Sequence, residues 1–205
     1  MSKDIKIHGV FPTPVFETNL NRKITDKEFN FILNNRNKTY EASGTNLTDD
    51  KSILDNKDLS NIKTYLESCL KDYKNLVLNS KNNFKIYITQ SWISYINNGN
   101  YHEVHRHPNS FISGVFYIKA NPKFDLIRFW KDDYAPISVE INEYNMFNGL
   151  AHTFSVGDGK IILFPSNLRH EVLCKNNNET RISLAFNTFI KGEIGVKDHL
   201  TGLKI

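Results

Sequence analysis

Hydrophobic residues recur at two different spacings along the chain, and the spacing changes near residue 84. Before that point apolar residues return every three or four positions, the period of an amphipathic helix. Thr25 and Glu28 form a capping-box pattern, so we expect a first helix over about residues 26–37. A second helix is expected from Ser60, because one apolar stripe follows: Ile62, Tyr65, Leu66, Cys69, Leu70, Tyr73, Leu76 and Val77.

From Phe84 onward the apolar segments are short, rich in β-branched and aromatic residues, and separated by Asn, Gly, Pro and Asp. Such segments are typical of β-strands. Seven strands or more are expected, among them FKIYITQSWISYI, SFISGVFYIKA, FDLIRFW, ISVEI, HTFSV, KIILFP and TRISLAFNTFI. The segment Glu41–Lys57 is polar and lacks periodicity, so we expect a long surface loop there.

This order of elements predicts a mainly β fold with flanking helices. We expect a double-stranded β-helix (a jelly roll, cupin-like) with the N-terminal helices packed on one sheet; the strand order stays open. A length of 205 residues suits one domain, with helical support over about 20–80 and a jelly-roll core over about 84–191.

Charge and cysteine content narrow the expected partners and location. The chain has 26 basic and 22 acidic residues, for a net charge of +4, and the lysines are spread along the sequence, so no extended nucleic acid is expected as a partner. Two distant cysteines and the lack of a signal-peptide pattern indicate a reducing, cytoplasmic location. No apolar run is long enough for a membrane helix, and no pattern sets an oligomeric state.

Three of the seven histidines lie close together, in the segment YHEVHRHP. Alternate residues of a strand share a face, so His105 and His107 should point the same way, about 6–7 Å apart along the backbone. His170, at the edge of another expected strand, is the best candidate for a third ligand. A single histidine is more often structural, but this set predicts a metal site.

The last long strand carries an arginine on its polar face. If the strand alternates, Arg181 and Ser183 face one way while Ile182 and Leu184 face the other. An inward guanidinium needs an anion, and its planar fork suits a carboxylate. The alternative is that Arg181 lies on the solvent face of an ordinary strand.

Four stretches of the chain resemble the non-haem Fe(II), 2-oxoglutarate-dependent oxygenases, in particular the prolyl-hydroxylase-like branch. They are GNYHEVHRHP, NSFISGVFYI, KIILFPSNLRHEV and ETRISLAFN, and they cover about half of the chain, from Ser91 to Asn187. With FPTPVF near the N-terminus, the chain is also similar to a bacterial and phage group of 2-oxoglutarate–Fe(II) oxygenases with an H-x-H-P motif.

The resemblance implies a role for each matching residue. His105 and His170 would bind Fe(II), while Arg181 and Tyr117 would hold the far carboxylate of 2-oxoglutarate. Ser113 and Ser183 would add weaker contacts to the same cosubstrate.

One position departs from the family pattern. Most of the superfamily has an acidic residue where this chain has His107, because its usual iron site is two histidines and one carboxylate. We favour His107 as the third ligand, which gives a neutral three-histidine site. Glu103, Glu171 or water are the alternatives.

The resemblance also implies the reaction, in which Fe(II), 2-oxoglutarate and O2 hydroxylate a C–H bond and release succinate and CO2. A peptide or protein side chain or a small molecule is the expected substrate, recognised at Glu41–Lys57 and Lys131–Asn148. Two other functions stay open: a three-histidine Zn(II) hydrolase or hydratase, and a non-catalytic jelly-roll binding module.

Overall fold

Two antiparallel sheets and two α-helices form the described part of the chain. The computed structural model describes residues 3–42, 44–132, 137 and 139–205. The helices are α1 (Asp26–Asn34) and α2 (Ser60–Tyr73). The strands are β1 (Phe16–Asn19), β2 (Thr39–Ala42), β3 (Thr45–Thr48), β4 (Phe84–Ile96), β5 (His102–His105), β6 (Ile112–Lys119), β7 (Leu126–Trp130), β8 (Ala151–Ser155), β9 (Lys160–Pro165), β10 (His170–Val172), β11 (Arg181–Ile194) and β12 (Leu203–Lys204).

The chain alternates between the two sheets, and this alternation defines the fold. The larger sheet has the order β1-β9-β6-β11-β4-β3-β2, with β12 also paired to β11, and the smaller sheet has the order β5-β10-β7-β8. From β4 to β11 the strands pass from one sheet to the other and back, as in a jelly roll. The expected double-stranded β-helix is therefore confirmed, with β1, β2 and β3 as additions to its larger sheet.

Both helices begin where the sequence predicts. At the start of α1 the backbone N–H of Glu28 donates to Thr25 Oγ1 (3.3 Å), and the Thr25 N–H donates to Glu28 Oε2 (2.8 Å), which completes the capping box. Helix α1 ends at Asn34, three residues earlier than expected. Helix α2 ends at Tyr73 and continues as a π-helical turn, Lys74–Leu78.

The helices cover the outer face of the larger sheet. Leu66 and Leu70 of α2 join a buried cluster with Ile93, Phe116 and Leu184 of the sheet. A second buried cluster lies between the two sheets, formed by Tyr117, Ile127, Phe129, Val156, Ile162 and Phe164. Neighbouring residues of β6 and β9 enter different clusters, which explains why these strands are apolar on both faces.

Two sequence predictions are wrong. The segment Glu41–Lys57 is not a surface loop, because it contains part of β2, all of β3 and the 3₁₀ turn Ile53–Asp55, and its residues Thr45, Thr48 and Leu54 are buried. The threonines of this segment are polar and so resemble loop residues in the sequence, but their hydroxyls find hydrogen-bond partners inside the sheet. Thr45 Oγ1, for example, lies 3.2 Å from Ser94 Oγ. The expected strand ISVEI is also absent at its described positions, 137 and 139–141.

Within the described residues, no helix combines the length and the apolar character needed to cross a membrane.

Candidate metal and cosubstrate site

Three histidines meet where β5 and β10 pair in the smaller sheet. His105 and His170 are register partners across the two strands. His107 follows β5 and is held by its backbone N–H, which donates to the Ser166 carbonyl (3.0 Å). One ring nitrogen from each of the three side chains lies within 4.8 Å of the other two. The structure thus brings together the three histidines that the sequence singles out.

The hydrogen bonds of the three rings fix which nitrogen faces the centre of the cluster. Nδ1 of His105 lies 2.6 Å from the Glu103 carbonyl, Nδ1 of His170 lies 2.9 Å from the Leu168 carbonyl, and Nδ1 of His107 lies 2.6 Å from Asn187 Oδ1. The two main-chain carbonyls can only accept, so Nδ1 of His105 and of His170 carries the proton and Nε2 keeps its lone pair. The same holds for His107 in the amide orientation in which Asn187 Oδ1 faces the ring.

Two of these lone pairs face each other at short range. His107 Nε2 and His170 Nε2 are 3.3 Å apart, and two acceptors cannot bond one another. Two nitrogen ligands at about 2.1 Å from one metal, at a right angle, would be about 3 Å apart. The donor set therefore fits a metal ion with adjacent ligand positions.

Burial keeps the cluster uncharged. Burial, with a smaller contribution from the neighbouring His105, lowers the pKa of His107 to about 4. It also lowers the pKa of His105, and it lowers that of His170 well below the usual value, where His105 adds to the effect. At neutral pH the imidazoles are therefore neutral, which is the form that binds a metal.

A fourth histidine lies beside the cluster, which strand alternation did not predict. His102 stacks on His105 with ring centroids 4.3 Å apart. The pairing of β5 with β10 is irregular, because His105 pairs with His170 while His102 pairs with Val172. This bulge sets four residues, 102–105, against three, 170–172, so it turns His102 to the face of His105. Burial is the main reason that the pKa of His102 falls to about 3.

The two glutamates considered as alternative ligands lie outside the histidine cluster. Glu103 is exposed, and its backbone carbonyl, rather than its carboxylate, contacts His105. The carboxylate of Glu171 accepts hydrogen bonds from Trp130 Nε1 (3.1 Å) and Arg128 Nη1 (3.3 Å). Both carboxylates are therefore separate from the point where the three Nε2 atoms converge.

Arg181 is buried on the inner face of the larger sheet. Arg181 is only 3% exposed, so the alternative that it lies on the solvent face of the strand is wrong. Nη1 donates to the Leu126 carbonyl (3.3 Å), while Nε has no hydrogen-bond partner among the described residues. Burial lowers the pKa of Arg181, but a guanidinium stays charged in proteins. The site therefore holds a buried cation that lacks a full set of acceptors.

The nearby acid does not neutralise Arg181. Asp125 forms a buried ion pair with Lys175 (Nζ to Oδ1, 2.7 Å), and its Oδ2 accepts the Asn121 N–H (2.7 Å). Asp125 and Lys175 cancel in charge, so the Arg181 guanidinium leaves one positive charge in excess. A buried excess charge is costly without an anion.

A second unpartnered polar atom accompanies the guanidinium. Tyr117 is fully buried, its hydroxyl has no hydrogen-bond partner in the described part of the chain, and its ring centroid lies 5.4 Å from Arg181 Cζ. Burial raises the pKa of Tyr117 to about 12, so the hydroxyl keeps its proton. Ser183 is buried opposite Tyr117 in the β6–β11 register. These donors suit the carboxylate of a small acid.

Ser113 lies with the histidines instead of with Arg181. Its hydroxyl donates to Asn187 Oδ1 (3.0 Å) and lies 2.8 Å from Ser166 Oγ. Asn187, whose Oδ1 forms a hydrogen bond with His107 Nδ1, is a site residue that the sequence did not reveal. Strand parity offered one signal, because Asn187 is six positions from Arg181 on the same strand face.

Comparison with known proteins agrees with this site. Residues 90–187 match the family described as "Putative 2OG-Fe(II) oxygenase", and this range contains all three clustered histidines and Arg181. No curated protein matches the chain significantly.

Several solved structures are similar in fold. HygX from Streptomyces hygroscopicus, solved with nickel, 2-oxoglutarate and hygromycin B bound, gives a TM-score of 0.59 at 10% identity, over 86% of this chain and 82% of that one. A prolyl-4-hydroxylase from Pseudomonas putida gives 0.55 at 14% identity, over 85% and 92%. An oxidoreductase of the 2OG-Fe(II) oxygenase family from Burkholderia pseudomallei gives 0.55 at 12% identity, over 84% of each chain.

At 10–14% identity these structures show a shared fold alone, and the family match covers residues 90–187, just under half of the chain. The three-histidine cluster and the buried guanidinium lie inside the matched segment. Over this segment the chain is similar to the 2-oxoglutarate–Fe(II) oxygenases.

Proposed function

We propose that His105, His107 and His170 bind Fe(II) through Nε2, and that Arg181 binds the far carboxylate of 2-oxoglutarate. The convergence of three Nε2 lone pairs is the observation that carries this proposal. The unpartnered Arg181 Nε and the unpartnered Tyr117 hydroxyl support the cosubstrate assignment, because both could donate to one carboxylate. Ser183 is the proposed third contact.

The charges of the proposed complex are complementary at both ends and leave one positive charge overall, because the two negative charges of 2-oxoglutarate face three positive ones. Three neutral imidazoles leave the full 2+ charge of Fe(II), and the Arg181 guanidinium adds one more positive charge at the other end of the site. A dianionic 2-oxo acid provides a negative charge for the metal ion and another for the Arg181 guanidinium. A carboxylate ligand would instead have reduced the charge at the metal by one.

The proposed reaction is hydroxylation of a C–H bond. Bound Fe(II) would supply the redox chemistry that couples oxidation of 2-oxoglutarate by O2, to succinate and CO2, with oxidation of the substrate. The protein contributes geometry and an apolar surround: Phe164 contacts the His170 ring edge-on (4.6 Å between centroids), and Trp92 stacks on His107 (5.8 Å). Both rings shield the ligands from water.

We propose a small molecule or a peptide side chain as substrate, since a net charge of +4 with lysines spread along the sequence does not indicate an extended nucleic acid as partner. Among the similar structures, one is a prolyl-4-hydroxylase and another holds hygromycin B, and both substrate sizes would suit this fold. The proposed recognition region is residues 131–148, of which 133–136 and 138 lie outside the described residues. Two unpaired cysteines support a cytoplasmic location.

The test is anaerobic addition of Fe(II) and 2-oxoglutarate to metal-free protein. We expect a visible charge-transfer band, and succinate formation once O2 is admitted. His170→Ala should abolish both, whereas His199→Ala, which changes an exposed histidine near the C-terminus, should change neither. Absence of the band in wild-type protein that retains Zn(II) would contradict the proposal and favour the hydrolase. Absence of any metal binding would favour a binding module.

A further inference from the structure

Asn187 contacts the one ligand histidine that stands in the place of the usual carboxylate. Its Oδ1 lies 2.6 Å from His107 Nδ1 and 3.0 Å from Ser113 Oγ, and its Nδ2 lies 3.5 Å from Gln90 Oε1. The residue is 9% exposed, and its backbone is fixed within β11. Among the described residues, a main-chain carbonyl contacts Nδ1 of His105 and another contacts Nδ1 of His170, but none contacts Nδ1 of His107. The orientation of His107 therefore depends on a side chain.

The amide of Asn187 has two orientations with opposite consequences. With Oδ1 toward His107, Nδ1 is protonated and the Nε2 lone pair faces the cluster. With the amide reversed, Nδ2 would donate to Nδ1, the proton would sit on Nε2, and His107 would donate to His170 across the 3.3 Å gap. In that second state the two histidines would bond each other, and His107 would have no lone pair for a metal.

We propose that Asn187 is a positioning residue that fixes His107 in the Nδ1–H tautomer and so makes it the third metal ligand. The proposal rests on the proposed function for its consequence, metal binding, but the tautomer itself is a property of the metal-free protein. The 2.6 Å separation is short and suits an oxygen acceptor, as in the first orientation. Outer hydrogen bonds of this kind set the tautomer and the basicity of metal-bound histidines.

The choice of an amide also sets the charge around the metal. An aspartate at this position would hold the same tautomer but would add a negative charge behind His107. Asn187 provides the acceptor without the charge, so the ligand set and its nearest support are neutral. The Ser113 hydroxyl, buried beside Ser166, anchors the same Oδ1.

The experiment measures the tautomer of His107 in metal-free protein, from long-range 1H–15N NMR at pH 8, with the His107 signals identified by loss in His107→Gln. We expect Nδ1–H in wild type, a mixture of tautomers in Asn187→Leu, and retention of Nδ1–H in Asn187→Asp. The dissociation constant for Co(II) should rise about 10–100-fold in Asn187→Leu and stay within a few-fold of wild type in Asn187→Asp. Gln90→Ala, which removes the partner of Nδ2, is the matched control and should change neither quantity.

Two results would overturn the proposal: a proton on Nε2 of His107 in the wild-type protein, or an Asn187→Leu variant that keeps both the tautomer and the Co(II) affinity. If Asn187→Leu does not fold by circular dichroism, Asn187→Ala replaces it with the same expectations. Failure of wild type to bind Co(II) would refute the proposed function, while the tautomer measurement would still decide the role of Asn187.

Discussion

The two faces of the larger sheet are built from the same strands, but one face packs against the helices and the other carries residues of the proposed site. On β11, Ile182, Leu184 and Phe186 belong to the buried cluster beneath α2. Their neighbours on the other face include Arg181 and Asn187, which lie at the cosubstrate and metal ends of the proposed site. Strand alternation thus separates stability from chemistry within one segment. Substitutions on the two faces should have separable effects.

The largest expected effect is on the inner face, for Arg181→Met. We expect the dissociation constant for 2-oxoglutarate to rise about 30-fold to 5,000-fold, because truncating one partner of a buried charge pair costs about 2–5 kcal/mol. The melting temperature of the free protein should stay the same or rise, because an unpaired buried charge is removed. Calorimetric titration and thermal unfolding give the two values.

The control for that variant is Arg128→Met, which removes a partly exposed arginine paired with Glu171. It should leave 2-oxoglutarate binding within about 2-fold of wild type, since exposed pairs contribute about 0–1 kcal/mol. Equal weakening in both variants would contradict a specific role for Arg181.

On the outer face, Leu184→Ala should lower stability without changing ligand affinity, which is the converse of the result expected for Arg181→Met. Leu184 is fully buried, so its truncation should lower the free energy of unfolding by about 2–5 kcal/mol. The dissociation constants for metal and 2-oxoglutarate should not change, as measured below the melting temperature. A large loss of ligand affinity in this folded variant would show that the two faces are coupled.

The histidine cluster should also make the stability of the metal-free protein depend on pH. Burial holds the pKa of His102 at about 3 and that of His107 at about 4, below the ordinary value of about 6.5. Below pH 6.5 the unfolded chain gains protons that the folded chain does not, so the free energy of unfolding falls as the pH falls, until about pH 4 for the His107 contribution and about pH 3 for that of His102. Urea unfolding from pH 8 to pH 5 measures this loss.

Replacing these groups tests the source of the pH dependence. A His102→Phe, His107→Phe double variant should show a weaker loss of stability over the same pH range, if it folds at pH 8. An unchanged dependence would assign it to other groups.

The smallest expected effect is for Tyr117→Phe. One hydrogen bond to a charged carboxylate is lost, at about 1.5–3 kcal/mol, which corresponds to a rise of about 12–160-fold in the dissociation constant for 2-oxoglutarate. Stability should not fall, because the Tyr117 hydroxyl has no partner among the described residues of the free protein. A loss of stability without a change in affinity would show that Tyr117 is only a core residue.

The sequence predicted those features that depend on local pattern. The capping box at Thr25 located the start of α1, and strand periodicity located most of the core strands. The same parity rule put Arg181 and Ser183 on one face, and the structure shows that this face is the inner one, which the sequence had left open. The family resemblance is also confirmed by the match over residues 90–187.

The features that the sequence did not predict depend on pairing between strands that are distant in the chain. His102 reaches the site because β5 is irregular where it meets β10, and no local pattern reveals such a bulge. Asn187 supports His107 from a position 80 residues away in the chain. The threonines of β3 look like loop residues until their partners in β4 are known.

A crystal structure of the protein with Mn(II) and 2-oxoglutarate, prepared without O2, tests the central claim most directly. The account predicts one metal ion bound by Nε2 of His105, His107 and His170, with the far carboxylate of 2-oxoglutarate on Arg181 and Tyr117. A metal bound through Glu103 or Glu171 in place of His107, or a cosubstrate carboxylate away from Arg181, would contradict it.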